Sequence, residues 1–158
     1  MKRRAFLGAA LALPCLAKLS RSRLTIIADE SGSSIDDWIA FARKYRLEAL
    51  EMRAIQKDGN GVMLDSMAPE ELRPIAKRLA TEGLRVSFLN SALLKYTLPG
   101  TVPVTKEDWY EKLYARLHLT PETMYASRDE RLKRALDSAH ILGTDKLRTF
   151  AFWRVKDP

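Results

Sequence analysis

Residues 69-PEELRPIAKRLATEGLRVSFLN-90 hold a helix pattern that is followed directly by a strand pattern. The first part has acidic residues at its start, apolar residues three and four apart, and Gly83 at its end. An amphipathic helix begins, repeats and ends in this way. The second part, 84–90, is a short apolar run that ends in a polar residue, as a buried strand does. One helix followed by one strand is the repeating unit of a parallel α/β sheet.

The same unit recurs on both sides of this stretch. Three further apolar runs end in charged or polar residues: 24-LTIIADE-30, 47-LEALEMR-53 and 146-KLRTFAFWR-154. Helical patterns separate consecutive runs, at 35–45 and 128–142. We therefore predict an α/β fold of about four parallel strands, at 24–28, 47–53, 84–90 and 147–153, with three main helices. In such folds the ligand site lies at the strand C-termini.

Helix starts are predicted from capping residues. Ser34 with Asp37 resembles a capping box, and Ser127 with Glu130 has the full capping-box pattern. Pro74 inside a helix would cost about 3 kcal/mol. We therefore expect the regular part of the middle helix to begin near Pro74, after a looser turn.

The third and fourth strands are separated by the longest interruption, 91–126, whereas such connections usually run to about 2–6 residues. A short helix is predicted within it, at about 106–117. Because the insertion follows a strand C-terminus, it belongs to the face where such folds bind ligands. The alternative is that the insertion only packs against the rest of the fold and binds no ligand. A smaller signal, 58-DGNG-61, permits a hairpin after the second strand.

The N-terminus has the pattern of an export signal. A basic start, 1-MKRR-4, precedes an apolar run at 5–13 and small residues that allow cleavage after Ala17. The run is too short to span a membrane. The core 3-RRAFL-7 resembles a twin-arginine signal, and an ordinary secretory signal is the alternative. We expect a signal at 1–17, a linker at 18–23 and a periplasmic or otherwise exported protein.

Removal of the signal changes the charge and the cysteine count. Of 27 basic residues three lie in the signal, and the remaining 24 against 20 acidic residues leave a net charge of +4. This mild excess does not favour a nucleic-acid partner. The only cysteine, Cys15, leaves with the signal, so we expect no disulfide. We expect no membrane association after cleavage, since no other segment is long and apolar enough.

The candidate site residues lie at the ends of the predicted strands. Asp29, Glu30 and Glu51 follow neighbouring strands, and adjacent strands are about 5 Å apart. Two carboxylates there could share a cation or act as acid and base. An ion pair between Glu51 and Arg53 that stiffens the strand end is the alternative. Two further cations, Lys95 and Arg154, could contact an anionic or polyhydroxyl ligand.

These pieces resemble the sugar phosphate isomerase/epimerase family, which has a xylose isomerase-like TIM barrel. The resemblance rests on 29-DE-30, 48-EALEMR-53, 83-GLRVSFLNSALLK-95 with 98-LPG-100, and 141-ILGTDKLRTFAFWR-154. It implies a divalent metal ion that polarises a sugar while carboxylates move a proton. It also implies that Glu51, Arg53, Lys95 and Arg154 border the substrate.

The resemblance covers only the first half of such a barrel. A full barrel needs about 250 residues, whereas cleavage after Ala17 would leave 141 of the 158. The family's usual metal ligands, Glu, Asp, His and Glu from later strands, would lie outside this chain. We therefore expect residues 24–158 to be the N-terminal half of a partial TIM barrel, inactive alone, which self-associates or pairs with a C-terminal half. A smaller, complete open-sheet domain is the structural alternative.

Three functions follow from this interpretation. The first is a metal-dependent sugar or sugar-phosphate isomerase or epimerase acting on a carbohydrate. The second is a non-catalytic carbohydrate-binding or interaction protein that uses the same pocket edge. The third is an endonuclease of the same barrel superfamily, which the weak charge after signal removal and the expected export disfavour.

Overall fold

The computed structural model describes residues 21–104, 112 and 114–156. The predicted signal at 1–17 lies outside the described residues, as does most of the predicted helix at 106–117. The helices are α1 (Ile35–Tyr45), α2 (Pro69–Thr81), α3 (Pro121–Ala126) and α4 (Arg128–Ile141). The strands are β1 (Ala49–Met52), β2 (Ala54–Lys57), β3 (Asn60–Met63), β4 (Arg85–Asn90) and β5 (Leu147–Arg148). None of the described helices has both the length and the apolar character that a membrane span requires.

A parallel sheet forms the centre of the fold. Its order is β1-β4-β5, with both pairings parallel. A fourth parallel segment joins the free edge of β1, where Ile27 pairs with Glu51 and the Glu51 amide donates to the Ile26 carbonyl at 2.8 Å. The four segments therefore lie side by side in chain order, and the α/β class predicted from the sequence is confirmed.

The two outer strands are shorter than predicted. The first, predicted at 24–28, is a single bridge followed by a 3₁₀ turn at Ala28–Glu30. The last, predicted at 147–153, leaves the sheet after Arg148. Beyond it, the amides of Phe150 and Phe152 donate to the carbonyls of Leu93 and Leu94. This segment pairs with the loop after β4 instead of continuing along the strand.

The prediction for the start of α2 is wrong. The helix begins at Pro69, where a missing amide hydrogen costs no hydrogen bond, and it runs through Pro74. Glu71 stabilises the first turn by accepting from the Ala68 amide at 3.3 Å. Leu72 and Ile75 are buried on both sides of Pro74. Burial of this face offsets the hydrogen bond that the proline removes.

One of the two capping predictions is confirmed and the other is wrong. Ser34 and Asp37 form the expected reciprocal box at the start of α1. Ser127 does not cap α4 with its side chain, because it is the C-cap residue that follows α3 and its hydroxyl donates to the Thr123 carbonyl at 2.8 Å. The sequence analysis did not predict α3, whose cap is Thr120. The predicted hairpin is present as β2 paired with β3.

The core lies between the sheet and the helices. Leu50 and Met52 point into it from β1, as the strand alternation predicts, and both are fully buried. The helices supply most of the remaining core side chains: Trp38, Ile39 and Ala42 from α1, Leu72, Ile75 and Leu79 from α2, and Ala139 from α4. Helix α4 packs against α2 and against the 3₁₀ turn Leu64–Ser66. This packing brings α4 beside the residues that follow β1 and β4.

Candidate functional site

Arg53 organises the carboxylates at the end of β1. Its Nε donates to the two Asp29 carboxylate oxygens at 3.2 and 3.0 Å, and its Nη2 donates to Asp29 Oδ2 at 2.8 Å. Its Nη1 lies 3.3 Å from Glu30 Oε1. Hydrogen bonding to Asp29 raises the pKa of Arg53. The guanidinium therefore stays charged and holds the two acids together.

Glu51 has a different partner. Its side chain accepts a hydrogen bond at 2.8 Å from the amide nitrogen of Asn90, which ends β4 and is buried. An ion pair between Glu51 and Arg53 was the alternative expected from the sequence. In the part of the chain that the structure describes, Arg53 pairs with Asp29 and Glu30 instead. The predicted meeting of strand-end residues is real, but its hydrogen bonds run between strands.

We call these five residues the strand-end cluster: Asp29, Glu30, Glu51, Arg53 and Asn90. They do not fit a divalent cation, because Arg53 already binds Asp29 and Glu30 and an amide nitrogen donates to Glu51. A cation site requires several oxygen ligands that converge. Among the described residues, no three histidine, cysteine or acidic side chains converge in a way that could hold a metal ion.

A cavity of about 610 Å³ lies beside the cluster, at the C-terminal end of the sheet. Five cationic side chains line it, namely Arg53, Lys95, Arg131, Arg134 and Arg148. Among the described lining residues the single acid is Asp65, from the turn after β3. We call this cavity the cationic pocket. Its charge favours an anionic ligand.

The lysine and one arginine of the cationic pocket are arranged around an aromatic ring. Lys95 Nζ lies 5.1 Å from the centre of the Phe150 ring, and Arg148 Cζ lies 4.8 Å from it. Both distances are in the range of cation–π attraction. The buried Ser91 hydroxyl donates to the Arg148 carbonyl at 2.6 Å, which ties the loop after β4 to β5.

Asp65 is the anion that the cationic pocket already contains. Burial raises the pKa of Asp65, while Arg131 and Arg134 act in the opposite direction. The two arginines therefore compensate only part of the cost of burying this carboxylate. A ligand anion would meet the same two arginines.

Of the cations predicted as site residues, two line the cationic pocket and one does not. Arg53 and Lys95 do, and Lys95 is the residue that the sequence analysis placed on the ligand face. Arg154 is exposed and does not line the cationic pocket. Its backbone carbonyl accepts a hydrogen bond from the Val104 amide. The structure thus does not bring Arg154 to the other predicted residues.

Sequence reasoning missed Arg131, Arg134 and Arg148. The two helical arginines are three residues apart on α4, a spacing that places them on one face. Arg148 follows directly on the first residue of the predicted fourth strand. Spacing alone was the available signal, and it does not distinguish a ligand site from a solvated helix face.

The chain has no significant match among protein-family models, curated proteins or solved structures. The family resemblance therefore stays a prediction from the sequence.

Proposed function

We propose that this chain forms the substrate-binding wall of a sugar or sugar-phosphate isomerase or epimerase with a xylose isomerase-like TIM barrel. In this proposal the described strands are part of the barrel, and the strand-end cluster borders the carbohydrate. The metal ligands of the reaction would come from strands beyond those described here.

The arrangement of the sheet supports a barrel arc. Four parallel segments in chain order, linked by helices, are what consecutive barrel strands require. The sheet face opposite the helices also carries polar groups. On that face, Thr25 Oγ1 lies 3.1 Å from Ser87 Oγ. On α4, Leu132 and Leu136 remain exposed by 39% and 52%. In a barrel, the next helix would cover them.

The observation that carries the proposal is the pairing of Glu51 with Asn90 across adjacent strand ends. Both are polar, partly or fully buried, and at the edge where such folds bind substrates. A carboxylate has about four acceptor positions, and the described hydrogen bond from Asn90 uses one. The remaining positions of Glu51 suit the hydroxyl groups of a sugar.

Carbohydrate binding without catalysis is the second candidate. It is favoured by the engagement of Asp29 and Glu30 with Arg53, which leaves these acids unsuited to a cation or to proton transfer. The two candidates differ in whether a divalent metal is needed.

Calorimetric titration of the full chain with D-xylose, D-fructose and D-fructose 6-phosphate tests both. The titrations are run with manganese chloride and again with a chelator. We expect binding of at least one sugar, and we expect Glu51→Gln to weaken it about tenfold, the value of one charge-assisted hydrogen bond. Glu48→Gln is the matched control, because Glu48 is exposed and precedes the opposite end of β1.

Each outcome tests one part of the proposal. Because the metal ligands are proposed to lie on other strands, this chain should bind a sugar equally with manganese and with the chelator, and binding that depends on manganese would contradict that placement. Turnover by this chain alone, followed as exchange of the sugar C2 proton with deuterated solvent, would refute the view that the metal ligands lie elsewhere. Failure of all three sugars to bind, or equal affinity of both variants, would remove the carbohydrate site.

A further inference from the structure

The cationic pocket has a charge and a lining that a neutral sugar does not explain. It collects five cations and one carboxylate among its described lining residues. Its other walls are largely apolar and include Met63, Leu93, Leu119 and Phe150. A neutral, hydroxyl-rich ligand would accept hydrogen bonds from the arginines, but it would neutralise none of their charge and would leave the apolar walls without a matching surface.

We propose that the cationic pocket binds an organic anion, a phosphate or carboxylate group carried on an apolar body the size of one aromatic ring. This inference goes beyond the carbohydrate proposal and does not depend on it. The oxyanion would lie among the arginines, and the apolar body would lie against Leu93 and Phe150.

Arg148 supplies the most specific argument. Its Nε is buried and has no hydrogen-bond partner in the part of the chain that the structure describes. Leaving a buried donor unpaired is costly, more so when it is charged. The guanidinium is held over the Phe150 ring, so the donor is fixed in place. Because Arg148 also lines the cationic pocket, an oxyanion there would lie beside this incompletely paired guanidinium and balance its charge.

Arg131 and Arg134 add charge from a second direction. They lie on one face of α4, and both act on Asp65, whose carboxylate is the local counterion. One carboxylate cannot neutralise Arg131 and Arg134 together with Arg148, which line the same cavity. Because guanidinium groups bind phosphate and carboxylate in a bidentate manner, a ligand oxyanion would complete the charge balance.

The size and lining of the cationic pocket decide the rest of the ligand. Small-molecule pockets measure about 300–1,000 Å³ and are mainly apolar with a few polar groups, and the volume of about 610 Å³ lies within this range. Leu93 is buried and Phe150 is half-buried, so both present a fixed apolar surface. A bare phosphate ion would pair with the arginines but would leave this apolar surface in contact with water.

Calorimetry on the full chain tests the proposal with four probes: phenyl phosphate, benzoate, inorganic phosphate and benzyl alcohol. We expect phenyl phosphate or benzoate to bind, and the tighter of the two identifies the anionic group. Inorganic phosphate and benzyl alcohol, which each lack half of the recognised chemistry, should bind at least tenfold more weakly. Affinity should also fall as salt increases.

Two variants should change the affinity for the same probe in opposite directions. Arg134→Gln should weaken phenyl phosphate or benzoate binding about tenfold or more, whereas Asp65→Asn should strengthen it by removing the competing carboxylate. Lys133→Gln is the matched control, since it removes a charge from α4 at a position that does not line the cationic pocket. Circular dichroism confirms that each variant is folded, and Arg131→Gln replaces Arg134→Gln if that variant is not.

Several results would overturn the proposal. If benzyl alcohol binds as tightly as the better aromatic anion, the anionic group is not recognised. If inorganic phosphate does, the apolar ring is not recognised. Equal losses in the Lys133 and Arg134 variants would indicate only the general charge of the helix. Because Glu51 lies outside the lining of the cationic pocket, Glu51→Gln should leave phenyl phosphate or benzoate binding unchanged. Failure of the carbohydrate site and failure of this site are therefore separable.

Discussion

The pairing of Arg53 with Asp29 makes a quantitative prediction about stability. A double-mutant cycle that combines Arg53→Gln with Asp29→Asn measures their coupling free energy. Three N–H contacts of 2.8 to 3.2 Å join the guanidinium to the two Asp29 oxygens. Hydrogen bonds to charged groups contribute about 1.5–3 kcal/mol each when protected from water.

Solvent access reduces that figure. The side chains of Arg53 and Asp29 are 30% and 21% exposed, so water competes for the pair without fully surrounding it. Fully exposed ion pairs are worth about 0.2–1 kcal/mol. The expected coupling therefore lies above that range and at the lower end of the value for one protected hydrogen bond, at about 1.5 kcal/mol.

The assay is urea unfolding of the four proteins of the cycle, followed by far-UV circular dichroism. A second cycle on Lys57 and Glu71 provides the comparison, because that ion pair also joins two distant segments but has side chains 52% and 39% exposed. We expect its coupling to be smaller and more sensitive to salt.

One result would refute the reasoning. If the coupling between Arg53 and Asp29 is no larger than that between Lys57 and Glu71, then the geometry at the end of β1 does not hold the carboxylates. The strand-end cluster would then be a set of independent surface charges, and the argument that Arg53 keeps Asp29 and Glu30 from a cation would lose its basis.

Three further predictions concern single residues, each measured by urea unfolding. Ser34→Ala should cost about 1 kcal/mol by removing the cap of α1, while Ser33→Ala, which leaves that cap intact, should cost much less; equal losses would contradict the capping role. Trp38→Phe should cost about 1–3 kcal/mol, because the fully buried indole N–H donates to the Gly32 carbonyl at 2.9 Å and the smaller ring leaves a void; a neutral effect would argue against that hydrogen bond. Because burial raises the folded-state pKa of Asp65, ionisation of its carboxylate destabilises the protein progressively as the pH rises from the unfolded to the folded pKa, and fully above the folded pKa. Asp65→Asn should therefore be the more stable protein at neutral pH, and its advantage should vanish below about pH 3.9, the unfolded pKa; an advantage that persists in acid would contradict the assignment.

Elements whose structure is decided by local chemistry were predictable from the sequence. The cap at Ser34, the hairpin at 58–61 and the left-handed helix end at Gly83 are all present. Each depends on residues within one turn. The order of the parallel segments was also predictable, because helix and strand patterns alternate along the chain.

The predictions that failed depend on distant contacts. Pro74 is tolerated in α2 because Leu72 and Ile75 are buried against other elements, a stabilisation that the local sequence does not reveal. The fourth strand ends early because its continuation bonds to the loop at 93–96. The bonded residues are 57 or 58 positions apart in the chain, as Phe150 and Leu93 are, so no local pattern could have predicted the contact.

The candidate site shows the same division. Glu51 and Arg53 were identified because strand ends are known positions for chemistry. Arg131 and Arg134 were not, because helical arginines three residues apart usually belong to a solvated face. They line a cavity only because α4 packs against the turn Leu64–Ser66. Recognising them required the tertiary structure.

Arg53 connects the strand-end cluster with the cationic pocket, since it binds Asp29 and Glu30 and also lines the cavity. An oxyanion in the cationic pocket would therefore compete with the two carboxylates for the same guanidinium. Because Asp29 already engages Nε and Nη2, the ligand would rely mainly on Arg131, Arg134 and Arg148. Asp29→Asn should then strengthen phenyl phosphate or benzoate binding by weakening the existing pair. If calorimetry shows weaker or unchanged binding in that variant, Arg53 serves the strand-end cluster alone, and the two sites are neighbours without energetic coupling.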